Sequence, residues 1–312
     1  MQGWQYVADG EPISLNDVPE PELGPGTVIL DVKATGICHT DVGFLDGTVS
    51  SQLAFSPITL GHEVAGVVSA VADDVSGLAV GDRVAVLALP TGPGTASHGG
   101  FQPRIAVESK ILVPIPDGVG WDQAAVSTDA GATSQHAVVS RGRAQKGDRV
   151  GVIGLGGLGS LAAQIAVGLG AEVYVADTDE SLFDYAREIG VAGVSTDLRD
   201  FRDVGIDLVC DFAGFGTTTA AAVEVVKEHG RVVVVGLARR YGTLDLIRLT
   251  LQQLEVVGSV GGTVEDNAQV LTAMAEGRLV SRTTAVAFDE IGESIRRLER
   301  GGVAGRLVVL YD

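Results

Sequence analysis

The run Gly154-Leu155-Gly156-Gly157-Leu158-Gly159 decides the fold. It follows an apolar stretch, Arg149–Ile153, and opens a stretch of helix formers, Gly157–Leu169. A strand, G-x-G-x-x-G and a helix in that order begin a dinucleotide-binding βαβ unit, and each glycine has a task. Gly154 permits the tight turn, Gly156 lets the backbone approach a pyrophosphate, and Gly159 lets the helix pack against the strand. The helix N-terminus then turns its unpaired N–H groups toward the phosphates. Asp177 closes the next apolar run, Glu172–Ala176. It stands about 20 residues past the fingerprint, where a carboxylate accepts hydrogen bonds from ribose hydroxyls. Asp179 and Glu180 follow, with no Arg or Lys before Arg187. A carboxylate repels a 2′-phosphate, so NAD is expected rather than NADP.

Outward from this motif the chain alternates. Strands are expected at Arg149–Ile153, Glu172–Ala176, Ile206–Asp211, Arg231–Val235 and Glu255–Val257, with helices at Ser181–Ile189 and Thr217–Glu228. Apolar strands separated by helices describe a doubly wound parallel sheet covered on both faces. Before about residue 130 the rhythm differs. Short apolar runs at Val28–Ala34, Val64–Val71, Val84–Leu89 and Ile111–Ile115, punctuated by Gly and Pro, suggest a partly open β-barrel with little helix. The tail offers helices at Glu265–Glu276 and Ile291–Arg300 and a last strand, Arg306–Leu310. The expected division is 1–130 with 262–312 as a β-barrel domain, and 131–261 as the dinucleotide domain.

At 312 residues there is room for two cores. A formal charge of −18 argues against nucleic acid or anionic lipid as a partner. The first residues carry neither a basic region nor an apolar stretch, so no secretory leader is expected, and no run is long enough for a membrane span. Only two cysteines occur, Cys38 and Cys210, which fits a reducing cytoplasm better than a disulfide framework. Cys210, inside an apolar strand, reads as core.

Chemistry concentrates in Cys38-His39-Thr40-Asp41 and Gly61-His62-Glu63. A thiol, imidazoles and carboxylates after glycine-ended turns can make half of a zinc site, although a lone Cys is also a common buried apolar residue. Gly36-Ile37-Cys38-His39-Thr40-Asp41, then Gly61-His62-Glu63-Val64-Ala65-Gly66, then the βαβ unit, resemble the zinc alcohol dehydrogenases of the medium-chain dehydrogenase/reductase superfamily. The resemblance runs in order along essentially the whole chain.

That resemblance implies a GroES-like β-barrel catalytic domain beside a Rossmann domain, with the active site in the cleft between them. It implies hydride exchange between NAD and a small alcohol, giving an aldehyde or ketone. Cys38 and His62 match two ligands of a catalytic Zn2+, and Glu63 matches a glutamate able to serve as an alternative ligand. The third ligand, usually a second Cys, falls on Asp129. Zinc accepts a carboxylate oxygen at about 2.0–2.2 Å against about 2.3 Å for sulfur, so the substitution is chemically permitted. A helix N-cap or turn is the other reading of an Asp there. Thr40 matches the hydroxyl that bonds the substrate oxygen and starts the proton relay, and Asp41 the carboxylate that orients His62. His39 and Arg306 match basic residues on the cofactor phosphates, and Thr133 a residue beside the nicotinamide.

Two departures stand out. A relay histidine three residues beyond the threonine is Gly43 here, leaving Asp46, water or the ribose to take the proton. The stretch between Val84 and Phe101 holds no cysteine, so a four-cysteine structural zinc is excluded and one metal per chain is expected. His98, His136 and His229 read as structural or exposed. A zinc-free quinone or enoyl reductase of the same superfamily is the alternative enzyme, and a retired dinucleotide-binding protein the alternative outside catalysis. A homodimer or homotetramer is expected by analogy.

Overall fold

The computed structural model describes residues 1–311. The chain divides into two compact units, Met1–Ala132 joined by the segment from Gly262 onward, and Thr133–Gly261.

In the first unit, strands Gln2–Tyr6, Ser14–Asp17 and Ile58–Thr59 make a small antiparallel sheet. The larger sheet runs Thr283–Val286, Arg306–Leu310, Thr27–Ile37, Glu63–Val71, Arg83–Val86, Leu112–Pro114, with Arg104–Glu108 also paired to Thr27–Ile37. Thr27–Ile37 is the spine. Its register against Glu63–Val71 shifts twice, between Ile29 and Leu30 and between Val32 and Ala34. Such bulges bend a strand and increase its twist. The bent strand thereby feeds two cores. Val28, Leu30 and Val32 pack with Val64, Val68, Val84 and Ile105. Ile37 instead joins Phe44, Leu60, Phe101 and Leu307.

In the second unit six parallel strands lie in the order Gly193–Ser195, Glu172–Ala176, Arg149–Ile153, Ile206–Asp211, Val226–Val234, Glu255–Gly258. Counted along the chain this is 3-2-1-4-5-6, the doubly wound order of dinucleotide-binding sheets. Val150, Val152, Val173, Val175 and Cys210 fill one core beneath Ala162, Ala163 and Ala166 of the helix Gly157–Gly168. Ile153, Val209, Val232 and Val223 belong to the other. Cys210 is fully buried, and burial pushes its thiol up to about 12, so it stays protonated and inert.

Several boundaries differ from the sequence reading. The helix expected over Thr217–Glu228 ends at Val225, and the next strand begins at Val226 rather than Arg231. Val223, Val225 and Val226 are all needed in one core, and the β-branched pair Val225-Val226 serves the extended chain better than a further helical turn. A register shift between Ile206 and Leu208 absorbs the bulge whose exposed residues are Lys227, Glu228 and His229. Among the described residues no helix is long and apolar enough to cross a membrane.

Gly159 shows how tightly the fingerprint is built. A Cβ there would lie 1.7 Å from the Gly154 carbonyl oxygen, and Gly154 itself holds φ of +88°. Gly159→Ala should therefore cost about 1–3 kcal/mol, the range for overpacking. Gly168→Ala, at an open and exposed position of the same helix, should instead stabilise by about 0.5 kcal/mol. Chemical denaturation of both variants checks this, and equal midpoints would contradict the packing argument.

Candidate functional site

The strand Thr27–Ile37 delivers Cys38 to the N-terminus of the helix His39–Leu45. Asp41, in the first turn, closes the corner. Its Oδ2 accepts the Cys38 backbone N–H at 2.9 Å, and its own N–H donates to Cys38 O at 3.0 Å. The other oxygen, Oδ1, lies 3.5 Å from His62 Nδ1. Asp41 is fully buried, so one carboxylate fixes the backbone of Cys38 and faces the ring of His62. A histidine held this way through Nδ1 presents Nε2 as the ligating nitrogen.

His62 and Glu63 come from the start of Glu63–Val71, where Glu63 is paired in register with Gly36. A Cβ on Gly36 would lie 1.9 Å from Glu63 Oε2, so the glycine makes the space that the carboxylate occupies. Asp129 lies within Ser127–Gly131, a single π-helical turn following the helix Trp121–Val126. The cap reading of Asp129 does not hold, since Gly120 is the residue at the N-cap of that helix. Widened turns of this kind recur at functional sites because they re-aim a side chain.

Ligand atoms of Cys38, His62, Glu63 and Asp129 all lie within 4.8 Å of one another. Cys38 Sγ is 3.4 Å and His62 Nε2 3.8 Å from Asp129 Oδ2. Tetrahedral zinc with bonds of about 2.0–2.3 Å requires ligand–ligand edges of about 3.3–3.8 Å. The donor set thus has the type and spacing that the ion needs. Thr40 Oγ1 lies 3.5 Å from Cys38 Sγ, at the rim of the same group. Both Glu63 oxygens are buried without a hydrogen bond among the described residues, and such carboxylate oxygens suit a cation.

Arg306 enters this pocket from Arg306–Leu310. It is 3% exposed, with Nη2 2.9 Å from Glu63 Oε1 and 3.6 Å from Asp129 Oδ2. The Glu63 contact is a short ion pair whose angles fall outside those of a hydrogen bond. The same guanidinium that the sequence reading expects on the cofactor phosphates thus also meets two carboxylates. Burial drives the Glu63 carboxyl well above the usual range, with Arg306 opposing and Asp129 and Cys38 reinforcing. Asp129 is held well below that range because, against burial, His62 and Arg306 favour its charge. Burial also opposes charge on His62, but Asp41 and Asp129 outweigh it and raise the imidazole.

His39, exposed at the helix start, has its imidazole lowered first by partial desolvation and then by the Arg306 charge. Asp46 caps the C-terminus of the same helix, is exposed, and accepts the Thr48 N–H at 2.8 Å. Six residues separate it from Thr40, which is not one of the spacings that share a helix face. Position 43 itself is closed to a larger side chain, since a Cβ on Gly43 would lie 2.9 Å from Val49 Cγ2.

In the second unit Gly156 is the N-cap of the helix Gly157–Gly168, and a Cβ built there would meet open space. Leu158 is half-buried in the first turn. Asp177 Oδ2 accepts the Leu155 N–H at 2.6 Å and Oδ1 accepts the Asp179 N–H at 2.8 Å, so the acid holds the fingerprint loop. Thr133 is buried at the start of this unit. Sequence reasoning missed Asp211. It is fully buried at the end of Ile206–Asp211 and accepts from Ala213 N, Gly214 N, Thr218 Oγ1 and Thr219 Oγ1. The available signal was an acid ending an apolar parallel strand before Phe212-Ala213-Gly214, at the sheet end where such folds bind ligands.

Comparison with known proteins agrees with this geometry. Residues 24–117 match the alcohol dehydrogenase GroES-like domain model, and residues 157–276 match the zinc-binding dehydrogenase model. An alcohol dehydrogenase of Geobacillus stearothermophilus is 27% identical over 97% of both chains. An acetophenone reductase from Geotrichum candidum, solved in complex with NAD, is 30% identical with a TM-score of 0.91. That similarity covers 99% of this chain and 97% of the other. An alcohol dehydrogenase from the hyperthermophilic archaeon Aeropyrum pernix is 26% identical with a TM-score of 0.89, over all of both chains. With both domain models matched in order, and full-length relatives of the same architecture, the chain belongs to the zinc-type alcohol dehydrogenases of the medium-chain dehydrogenase/reductase superfamily.

Proposed function

We propose that this enzyme is an NAD-linked alcohol dehydrogenase that uses one zinc ion per chain, held by Cys38, His62 and Asp129. The observation that carries the reading is the buried set of thiol, imidazole and carboxylate donors within 4.8 Å. Zinc bound there would supply Lewis acidity, lowering the pKa of a substrate hydroxyl or polarising a carbonyl in the reverse direction. Asp41 keeps His62 in the ligating tautomer, and Thr40 takes the substrate proton. With Asp46 off the Thr40 face and no side chain at Gly43, that proton leaves through water or the cofactor ribose. Glu63, paired with Arg306, is the reserve ligand. The two cysteines of the chain leave no set of thiols for a structural zinc. Substrates are a small primary or secondary alcohol and its aldehyde or ketone.

Gly154, Gly156, Gly157, Leu158 and Gly159 would seat the pyrophosphate, with Asp177 on the adenosine ribose, while Thr133, His39 and Arg306 keep their expected cofactor contacts as part of this proposal. Leu246, Ile247, Leu251 and Val260 are more than half exposed, and the strand Glu255–Gly258 lies at the edge of its sheet. An apolar edge of this kind invites pairing. The protein should accordingly be a homo-oligomer by light scattering, and a monomer at micromolar concentration would contradict that part of the proposal.

Zinc binding tests the ligand set. Asp129→Asn removes an anionic ligand and should weaken zinc more than about tenfold, since loss of groups that merely support a ligand costs about 10–100-fold. Asp129→Cys should retain zinc better than Asn. Parent-like zinc content in Asp129→Asn would reject Asp129 as ligand. In the parent, zinc must displace the proton that raised basicity keeps on His62. Affinity should therefore rise with pH, with proton release measurable by calorimetry in buffers of different ionisation enthalpy. Asp177→Asn keeps an oxygen for the Leu155 N–H but loses the charge. The preference for NAD over NADP should narrow by about tenfold, the scale of a 1.4 kcal/mol change. A parent enzyme that already prefers NADP would contradict the cofactor assignment.

A further inference from the structure

The turn that carries Asp129 is clamped from outside. In Ser127–Gly131 the Ala132 N–H reaches back to Asp129 O and Ser127 O, so the last of these accepts a bond spanning five residues rather than four. A widened turn is less favourable than a regular one and persists where its surroundings hold it. Asn267, on the helix Val264–Ala275, supplies that hold. Its Nδ2 donates to Ser127 O at 2.8 Å and to Ser127 Oγ at 2.9 Å. Asn267 is fully buried, and its Oδ1 has no hydrogen-bond partner among the described residues. A buried amide with an orphaned oxygen costs stability, so an apolar residue would serve better if packing were the only task. One turn further along the same helix face, Val270 approaches so closely that a Cβ on Gly131 would lie 2.7 Å from its Cγ1. Both ends of the widened turn therefore meet this one helix, and Asp129 lies between them.

We propose that Asn267 is a positioning residue for the metal site, acting through Ser127 to hold the turn that aims Asp129 at Cys38 and His62. This inference rests on Asp129 as a zinc ligand. Asn267 touches no donor itself. Its effect passes through the backbone of a residue two places before Asp129, and it vanishes when the Asp129 carboxylate is removed.

A double-mutant cycle on the zinc-loaded enzyme tests this, with zinc release into a chromophoric chelator as the readout and thermal unfolding to verify folding. Asn267→Leu, of the same branched shape though larger and without donors, should release zinc about tenfold faster, the consequence of removing both bonds to Ser127. The visible spectrum of the cobalt-substituted variant should change as well, reporting altered ligand geometry. In an Asp129→Ala background, which itself releases zinc faster, Asn267→Leu should add almost nothing. A parent-like release rate in folded Asn267→Leu, or a full tenfold effect in the Asp129→Ala background, would overturn the positioning role alone. A parent-like rate in Asp129→Ala would overturn the ligand assignment and the inference with it. Should Asn267→Leu fail to fold, Ser127→Ala removes one of the two acceptors and should speed release about threefold. An unchanged rate there would overturn the inference.

Discussion

A thiol, an imidazole and two carboxylates are packed within 4.8 Å and largely shut away from water, with the Arg306 guanidinium against both carboxylates. Burying such a set is costly unless a cation is shared among its members. Much of the first unit can be understood as the means of holding that set together. Gly36 leaves room for the Glu63 carboxylate, Asp41 joins the Cys38 backbone to the His62 ring, and a widened turn brings Asp129 in from a helix. Arg306 sets a cation against the Glu63 carboxylate. In the proposed ligand set, Asp129 in place of a thiolate would preserve the formal charge that a cysteine brings, with a harder donor.

The two units solve different problems with the same economy of groups. In the second, the constraint is close approach: a glycine carbonyl stands where a Cβ at Gly159 would go, and Asp177 ties the fingerprint loop down through the Leu155 amide. Asp211 does the corresponding work for the loop after Ile206–Asp211 with four accepted hydrogen bonds. A fully satisfied buried carboxylate fixes loop geometry, which suits a loop at the binding end of a parallel sheet.

What could be read from the chain follows from how local each signal is. The Gly154–Gly159 turn, its strand and its acid lie within one βαβ unit, so their order and spacing reveal them, whereas Cys38 and Asp41, within one helical turn, take their roles from the resemblance. The helix end at Val225 was misplaced because helical periodicity says nothing of a register shift made with a distant strand. Arg306 was recognised as a cation, but its partner Glu63 is set by strands that meet only in the folded sheet. Asn267 carried no signal at all, because its partner Ser127 stands 140 residues earlier and the widened turn between Asp129 and its neighbours has no composition of its own. Asp211 looked like a strand end, since an acid's burial depends on hydroxyls and amides that arrive from the following loop.

The central claim is that a single sulfur and two or more nitrogen or oxygen donors hold the metal. X-ray absorption at the zinc edge of the purified, zinc-loaded enzyme measures this directly. The account predicts one sulfur at about 2.3 Å, with the remaining donors nitrogen or oxygen at about 2.0–2.2 Å. A first shell containing two or more sulfurs, or none, would contradict it.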